Sequence, residues 1–326
     1  MKIGIVGLGS MGAQHLEAFS KLDGVDVGAV CTRDARAATG DLRHIGGNLQ
    51  REGMVHDFSA VRVYEKWQDL VADRELDAVD LCVPTDVHAE MSLAALAAGK
   101  HVFCEKPMAL NAPDCDAMLA AAHRHRRVLL IGQVLRFWPE YLMLADFLKA
   151  RGLGSVTSAM FRRHCEVPGW SKWLTDETRS GGALMDLLIH DIDQVLLQFG
   201  VPARVSAQSL GEADTARIAF EYGGGLKVHI EGGWFPPPLP FAMGFEVEAA
   251  GERLRFDSDG LHQGDRALVV PKADAYAAEI AYFVECCREN RAPVKCRPED
   301  SARAVKMALL LRQSREENGK WQTCEL

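Results

Sequence analysis

Long apolar runs are missing from this 326-residue chain. None reaches the ~20 residues that a membrane helix needs, so no membrane partner is expected. A basic surplus is missing too. The formal net charge is −8, opposite in sign to most nucleic-acid binders, so no nucleic-acid partner is expected. The one basic run, His123-Arg124-His125-Arg126-Arg127, is short and reads as a solvated helix end. Nine cysteines stand at 31, 82, 104, 115, 165, 286, 287, 296 and 324, but no Cys-x-x-Cys pair occurs and none has a histidine at zinc spacing. No metal site is therefore expected, and the thiols read as the reduced cysteines of a cytoplasmic protein. Internal repeats and low-complexity segments are absent, which excludes solenoids and tethers. Met1 to Val6 enters a strand pattern at once, so no signal peptide is expected.

What is present is ordinary globular material, 48% apolar and 25% charged, in a length that suits two domains. The first 132 residues alternate short apolar runs with Ala-rich amphipathic stretches. The runs are Ile3 to Val6, Val25 to Val30, Val61 to Tyr64, Ala78 to Val83, His101 to Cys104 and Val128 to Gly132. They predict buried parallel strands with helices between, a doubly wound α/β sheet. Gly40 to Ser59 fits this poorly and reads as a long loop or an irregular helix. From about residue 155 the pattern changes. One strongly apolar helix, Gly182 to Phe199, precedes period-2 segments at 204–210, 216–222, 226–235, 245–250 and 254–257, separated by Gly and Pro turns. These predict a mostly antiparallel sheet with one face covered, hence an α+β domain. Two helices, 273–290 and 298–317, close the chain. The division is placed at 1–123 and 124–326, with the last helix expected to pack back on the first domain. An open sheet face invites pairing, so a homodimer or homotetramer is expected.

The sharpest motif is Gly7-Leu8-Gly9-Ser10-Met11-Gly12, between the first strand and a helix. Gly7 permits the tight turn, Gly9 lets backbone approach a pyrophosphate, and Gly12 allows helix to pack closely on strand. The helix start then turns its positive end to the phosphates. Strand before and helix after make six residues of pattern specific. At the end of the second strand, Thr32 and Arg33 stand where an NAD site usually carries an acid. A hydroxyl beside a guanidinium suits a 2′-phosphate, so NADP is preferred over NAD. Asp34 falls late and reads as a cap for the next helix or as a displaced ribose ligand.

Three further stretches matter: Val83-Pro84-Thr85-Asp86-Val87-His88, Glu105-Lys106-Pro107, and Gly181-Gly182-Ala183 running on to Asp186 and His190. With the N-terminal glycines they make the chain resemble the glucose-fructose oxidoreductase, inositol dehydrogenase and rhizopine-catabolism (GFO/IDH/MocA) family over nearly its whole length. The resemblance implies an NAD(P)-dependent oxidoreductase acting on a sugar, cyclitol or related polyol. It implies that Lys106, Asp186 and His190 hold the catalytic positions, and that Pro107 follows a cis peptide. Ala183 departs from the third glycine often found there, and the 40–59 stretch looks longer than usual.

The residues support the same picture on their own chemistry. Lys106 ends a parallel strand, on the edge where open sheets bind ligands, and its amine could transfer a proton or polarise a carbonyl. A surface lysine before a loop proline is the bland alternative. On a straight helix Asp186, His190, Asp193 and Gln194 form one polar stripe on an apolar cylinder, with Asp186 and His190 four apart. Asp186 could orient the imidazole that takes the substrate proton, or the pair could be structural. Glu105 is expected to orient Lys106 or the cofactor amide. Pro84, Thr85, His88 and Gln133 are candidate cofactor contacts, with His88 equally an ordinary first-turn helix residue. Arg136, Arg163 and Trp173, beside Arg162, His164 and Trp170, are candidate substrate contacts, each equally structural. This chemistry needs an amine from one domain and an imidazole from the other to reach one small molecule. The rival readings are an NAD-dependent glycosidase of the same fold and a non-catalytic sensor of cofactor or sugar.

Overall fold

The computed structural model describes residues 1–46, 54–211 and 214–325. Along the first stretch the elements are β1 (Lys2–Val6), α1 (Ser10–Ser20), β2 (Asp26–Cys31), β3 (Arg62–Tyr64), α2 (Trp67–Ala72), β4 (Ala78–Leu81), α3 (His88–Ala97), β5 (His101–Glu105), α4 (Ala112–His125) and β6 (Leu129–Gly132). The second stretch carries α5 (Pro139–Arg151), β7 (Val156–Glu166), α6 (Glu177–Ser180), α7 (Gly182–Asp186), α8 (Ile189–Phe199), β8 (Arg204–Gln208), β9 (Thr215–Glu221), β10 (Lys227–Phe235), β11 (Ala242–Ala249), β12 (Glu252–Asp257), β13 (Gly260–Gln263) and β14 (Arg266–Ala267). Then come α9 (Ala275–Glu289), α10 (Pro298–Glu316) and β15 (Gln322–Thr323).

Two compact units result. The first comprises residues 1–132 and 274–299, the second 133–273 and 300–326. This differs from the expected cut after residue 123. The reason is pairing: β6 hydrogen-bonds to β5 in parallel and so completes the first sheet. It is α9, not the last helix, that returns to the first unit, where it packs on α1. A capping Asp274, accepting from the backbone N–H groups of Tyr276 and Ala277, starts α9, and Asn290 in the left-handed region ends it.

The first unit has six parallel strands in the order β3-β2-β1-β4-β5-β6. That order reverses between β1 and β4, and open α/β sheets bind ligands outside the carboxyl ends of the strands at such a switch point. Strands β4, β5 and β6 are buried at every position, which is why they read as unbroken apolar runs. Helix α4 begins on Asn111, whose side chain accepts from the Asp114 N–H, and ends at Arg126 in the left-handed region. Its last turn leads into the basic run, exposed at His123, Arg124 and Arg126 and half-buried at His125 and Arg127. Of the awkward 40–59 stretch, residues 47–53 lie outside the described residues. Its two ends are joined by a bridge from Asp41 to Val55.

The second unit is built on a nine-stranded sheet, β14-β13-β12-β11-β7-β10-β9-β8-β15. Helices α7 and α8 contact β7, β9 and β10, and the strands beneath alternate buried with open positions. The pairings are antiparallel except β7 with β10, which run parallel. The centre of this sheet, β7, was not expected, nor was α5. In β7 the inward positions are Ala159, Phe161, Arg163 and Cys165; a buried arginine breaks the apolar alternation. The anticipated single helix from 182 to 199 is two helices. The Leu187 and Leu188 N–H groups both donate to the Ala183 carbonyl, and those of Asp191 and Ile192 both donate to that of Leu188. One residue is inserted in the turn, and α8 starts afresh at Ile189. From residue 300 on, α10 is tied to this unit by Arg312 donating to the Gly181 carbonyl and by an Arg315–Asp214 ion pair. None of the nine cysteines is in a disulfide. Among the described residues no helix is long and apolar enough to cross a membrane.

Candidate functional site

The β1–α1 turn has the shape its glycines imply. Gly7 sits at φ +92°, and a Cβ there would overlap the Cys82 carbonyl. A Cβ on Gly12 would overlap the carbonyl oxygen of Gly7. A Cβ on Gly9, by contrast, would meet nothing within 4 Å, so the crest of the turn faces open space. Ser10 and Met11 are half-buried beside it. No side chain caps the start of α1 and no acidic residue stands in its first turn. Backbone donors at the positive end of an eleven-residue helix therefore face the crest. Thr85 lies just past β4, the neighbour of β1, and its buried Oγ1 has no hydrogen-bond partner among the described residues. A dinucleotide's phosphates and ribose suit this donor set.

At the end of β2, Thr32 accepts the Asp34 N–H and Arg33 is exposed. Asp34 itself accepts from the N–H groups of Arg36 and Ala37 and pairs with His44 Nε2 at 2.7 Å. It caps the following turn, one of the two roles its position allowed. His88 is a correction. Its ring is fully buried, with Nδ1 2.8 Å from the Pro107 carbonyl oxygen and Nε2 2.9 Å from that of Val83. Burial lowers the His88 pKa, so the neutral ring donates one N–H to one of these carbonyls while its other nitrogen packs against the second. The buried ring lies between the end of β4 and the turn after β5.

Lys106 and Pro107 are joined by a cis peptide. From residue 100 to 109 every position is buried except Lys106. Beneath it lies a chain of charged groups that the sequence did not reveal. Glu105 is 8% exposed, and its Oε2 accepts the Lys106 N–H at 3.1 Å. Its Oε1 is 3.2 Å from Nε2 of His15, a fully buried residue on α1; this is an ion-pair distance without the alignment of a hydrogen bond. The other ring nitrogen of His15 donates to Asp80 in β4, 3.0 Å from Oδ2, and lies 3.3 Å from Cys82 Sγ. Burial opposes charge on His15, but Asp80 and Cys82 outweigh it and hold the imidazole well above its ordinary 6.5. Burial likewise opposes charge on Glu105, and His15 and Lys106 together hold its carboxyl below the usual range. The signal that could have found this chain is an aspartate in the run Ala78-Val79-Asp80-Leu81: a charge in a central strand demands a partner.

In the second unit, positions 181 to 195 are buried except two, Asp186 and His190. Their four-residue spacing spans the break between α7 and α8, so the straight-helix argument for their meeting does not carry over. Asp193, expected on the same stripe, is buried and paired. Its carboxylate takes Arg136 Nη2 at 2.6 Å and Nε at 2.9 Å, and Arg136 Nη1 reaches Asp300 at 3.1 Å. Arg163 is buried against Asp191 at 2.6 Å, with Tyr141 Oη 3.3 Å from its Nη2. Both arginines were candidates for substrate; both are internal struts, each 4% exposed or less. Gln133 is buried with no partner for Nε2 among the described residues. Trp173 is partly buried on a cluster of Cys165, Leu174, Ala183, Leu187 and Trp234.

Comparison with known proteins points one way. A family model described as an oxidoreductase family with an NAD-binding Rossmann fold matches residues 1–133, and one for the GFO/IDH/MocA C-terminal domain matches residues 141–255. Myo-inositol 2-dehydrogenase of Thermotoga maritima is 24% identical over 89% of this chain and 84% of its own length. The NADP(+)-dependent scyllo-inositol 2-dehydrogenase of Bacillus subtilis is 25% identical over 87% of this chain and 76% of its own. The crystal structure of myo-inositol 2-dehydrogenase from Lactobacillus plantarum covers 100% of this chain and 99% of its own with a TM-score of 0.80 at 21% identity.

Proposed function

Because the chain belongs to the GFO/IDH/MocA family of NAD(P)-dependent oxidoreductases, we propose that it interconverts a secondary alcohol and a ketone on a cyclitol, sugar or related polyol, with NADP as the preferred cofactor. When bound, the nicotinamide supplies the hydride chemistry at C4. The chain's own groups handle binding and the proton. The β1–α1 turn from Gly7 to Gly12, with Pro84 and Thr85, holds the dinucleotide, and Thr32 with Arg33 takes a 2′-phosphate. Asp34 takes two backbone N–H groups and His44, contacts that commit it to the following turn. His190 removes the hydroxyl proton as the carbinol is oxidised, Asp186 orients His190, and Lys106 polarises the oxygen on which charge develops. Run in reverse, the same groups return the proton to the carbonyl oxygen.

The observation that carries this reading is the pattern of openings. Two long buried runs, 100–109 and 181–195, are interrupted only at Lys106, Asp186 and His190. Charged residues are rarely buried without a partner, and a group that acts on a ligand needs such an opening. A fluorescence titration with NADPH and NADH, followed by rates on a panel of inositols, aldoses and keto-sugars with the tighter cofactor, tests it. NADPH should bind tighter, and at least one polyol should turn over. Lys106→Ala should then lower kcat at least ~100-fold, the lower range for one acid-base group. Full turnover in that variant would remove Lys106 from the mechanism, and cofactor binding without turnover on any polyol would remove the reaction.

A further inference from the structure

We propose that His15 is a positioning residue for the reaction: clamped between Asp80 and Glu105, it sets the Glu105 side chain and, through it, the backbone from which Lys106 projects. The inference rests on the reading that Lys106 acts on the substrate.

Geometry carries it. His15 is the sixth residue of α1, three past Gly12, on the helix whose start faces the open crest. Its Nδ1 is anchored by Asp80, 65 residues away in sequence, and its Nε2 reaches Glu105 at 3.2 Å. Glu105 uses its remaining oxygen on the Lys106 N–H. The ring is packed edge-on against Phe103 at 5.0 Å, and Phe103 meets Phe283 at 5.4 Å, so the imidazole has little room to turn. One side chain thus couples the phosphate-binding helix to the lysine-bearing turn inside a single unit. The three side chains of the clamp are buried, and each favours its neighbour's charge: Asp80 raises the His15 imidazole against burial, and His15 with Lys106 lowers the Glu105 carboxyl against burial. Such an arrangement does not touch substrate. It fixes the aim of a group that does, where a 1 Å error can cost ~100-fold in rate. Cys82 also faces Nδ1, and the trio His15, Asp80 and Cys82 has the composition of a metal site. Its contacts, N to O at 3.0 Å and N to S at 3.3 Å, are those of direct hydrogen bonds.

The full-length protein is tested with His15→Gln, Glu105→Gln and the double variant. The readouts are NADPH affinity by fluorescence and kcat and KM on the polyol that the panel identifies. His15→Gln should lower kcat about 10- to 100-fold, leaving NADPH affinity and polyol KM within about 3-fold. The double variant should be no slower than Glu105→Gln alone, since His15 acts through Glu105. Multiplicative losses, or an unchanged kcat in His15→Gln, overturn the proposal. If His15→Gln does not fold, Asp80→Asn loosens the same clamp from its far side, and there an unchanged kcat overturns it as well. Nitrogen NMR supplies a substrate-free readout: above pH 6.5, where an ordinary imidazole is largely neutral, both His15 ring nitrogens should still carry protons. A neutral ring, or stoichiometric zinc in the purified protein, overturns the clamp. If Lys106→Ala keeps full activity the mechanism itself has failed; if it is inactive while His15→Gln is not, only this inference has.

Discussion

Each unit of this protein sets a histidine in a helix with an acid within four residues in sequence or beside it in space, and the two histidines sit in different surroundings. His15 is wholly buried, with a carboxylate on either side of its ring. His190 is half-buried and stands just past the break between α7 and α8. A charge enclosed by opposite charges cannot give up its proton without stranding its partners, so His15 is suited to hold geometry. A ring with an opening beside it can exchange a proton with something that arrives, so His190 is suited to transfer. The second unit shows the same sorting within one segment. Asp191 and Asp193 are each neutralised by a buried arginine, while Asp186 and His190 keep an opening. Burial pushes the Asp191 carboxyl up even against the pull of Arg163, a sign of how fully that pair is enclosed.

The largest effect that would separate the two histidines is on turnover. His190→Ala should lower kcat at least ~100-fold, equivalent to about 2.7 kcal/mol of transition-state stabilisation. It should leave the melting temperature within a few degrees, because a half-buried ring has less packing to lose than a fully buried one. A large melting shift with kcat intact would make His190 the structural member and collapse the contrast.

A smaller effect sharpens it from the other side, through pH. The folded His15 is raised well above 6.5, and the groups facing it are Asp80, Cys82 and Glu105. Its contribution to stability is whole below 6.5 and drains away as pH climbs through the raised value. The slope cannot exceed about 1.4 kcal/mol per pH unit, the limit for one proton. Glu105 runs the opposite way: its lowered carboxyl supports the fold above its ordinary 4.5 and loses that support as pH falls. Denaturation midpoints from about pH 6 to pH 9 should therefore fall more steeply in the wild type than in His15→Gln. Parallel curves would mean that the buried ring carries no extra proton.

How much of this could be read from the sequence follows from where the partners lie. The strands of the first sheet were legible because both faces are buried and the apolar runs are continuous. The β1–α1 turn was legible because Gly7 and Gly12 each meet a separate steric demand within six residues, with Gly9 at an open crest between them. The openings at Lys106, Asp186 and His190 fell at residues already singled out. His15 was not singled out, because its partners lie 65 residues away in β4 and beyond that in β5, and only folding brings them together. β7 was hidden by Arg163, an inward residue that reads as outward until Asp191 is seen beside it. The break at Leu187 and Leu188 carries no proline or glycine to announce it. Arg136 and Arg163 looked like substrate ligands for the same reason that they are good struts: a guanidinium fits a carboxylate wherever the carboxylate comes from.

The smallest effect concerns the most exposed charge in the comparison. Arg33 stands in the open at the end of β2, beside Thr32 and ahead of an Asp34 already engaged by Arg36, Ala37 and His44. An exposed guanidinium contributes little to the fold, so Arg33→Ala should not move the melting temperature. Its value lies in one charge-assisted contact to a 2′-phosphate, and such contacts are worth about 1.5–3 kcal/mol before screening. With screening at an open edge, NADPH affinity should fall about 10-fold while NADH affinity stays within about 2-fold. Added salt should narrow the gap, since the contact is made in water. Equal weakening of both cofactors would show that Arg33 shapes the turn and does not read the phosphate. The β2 end would then carry no preference for NADP.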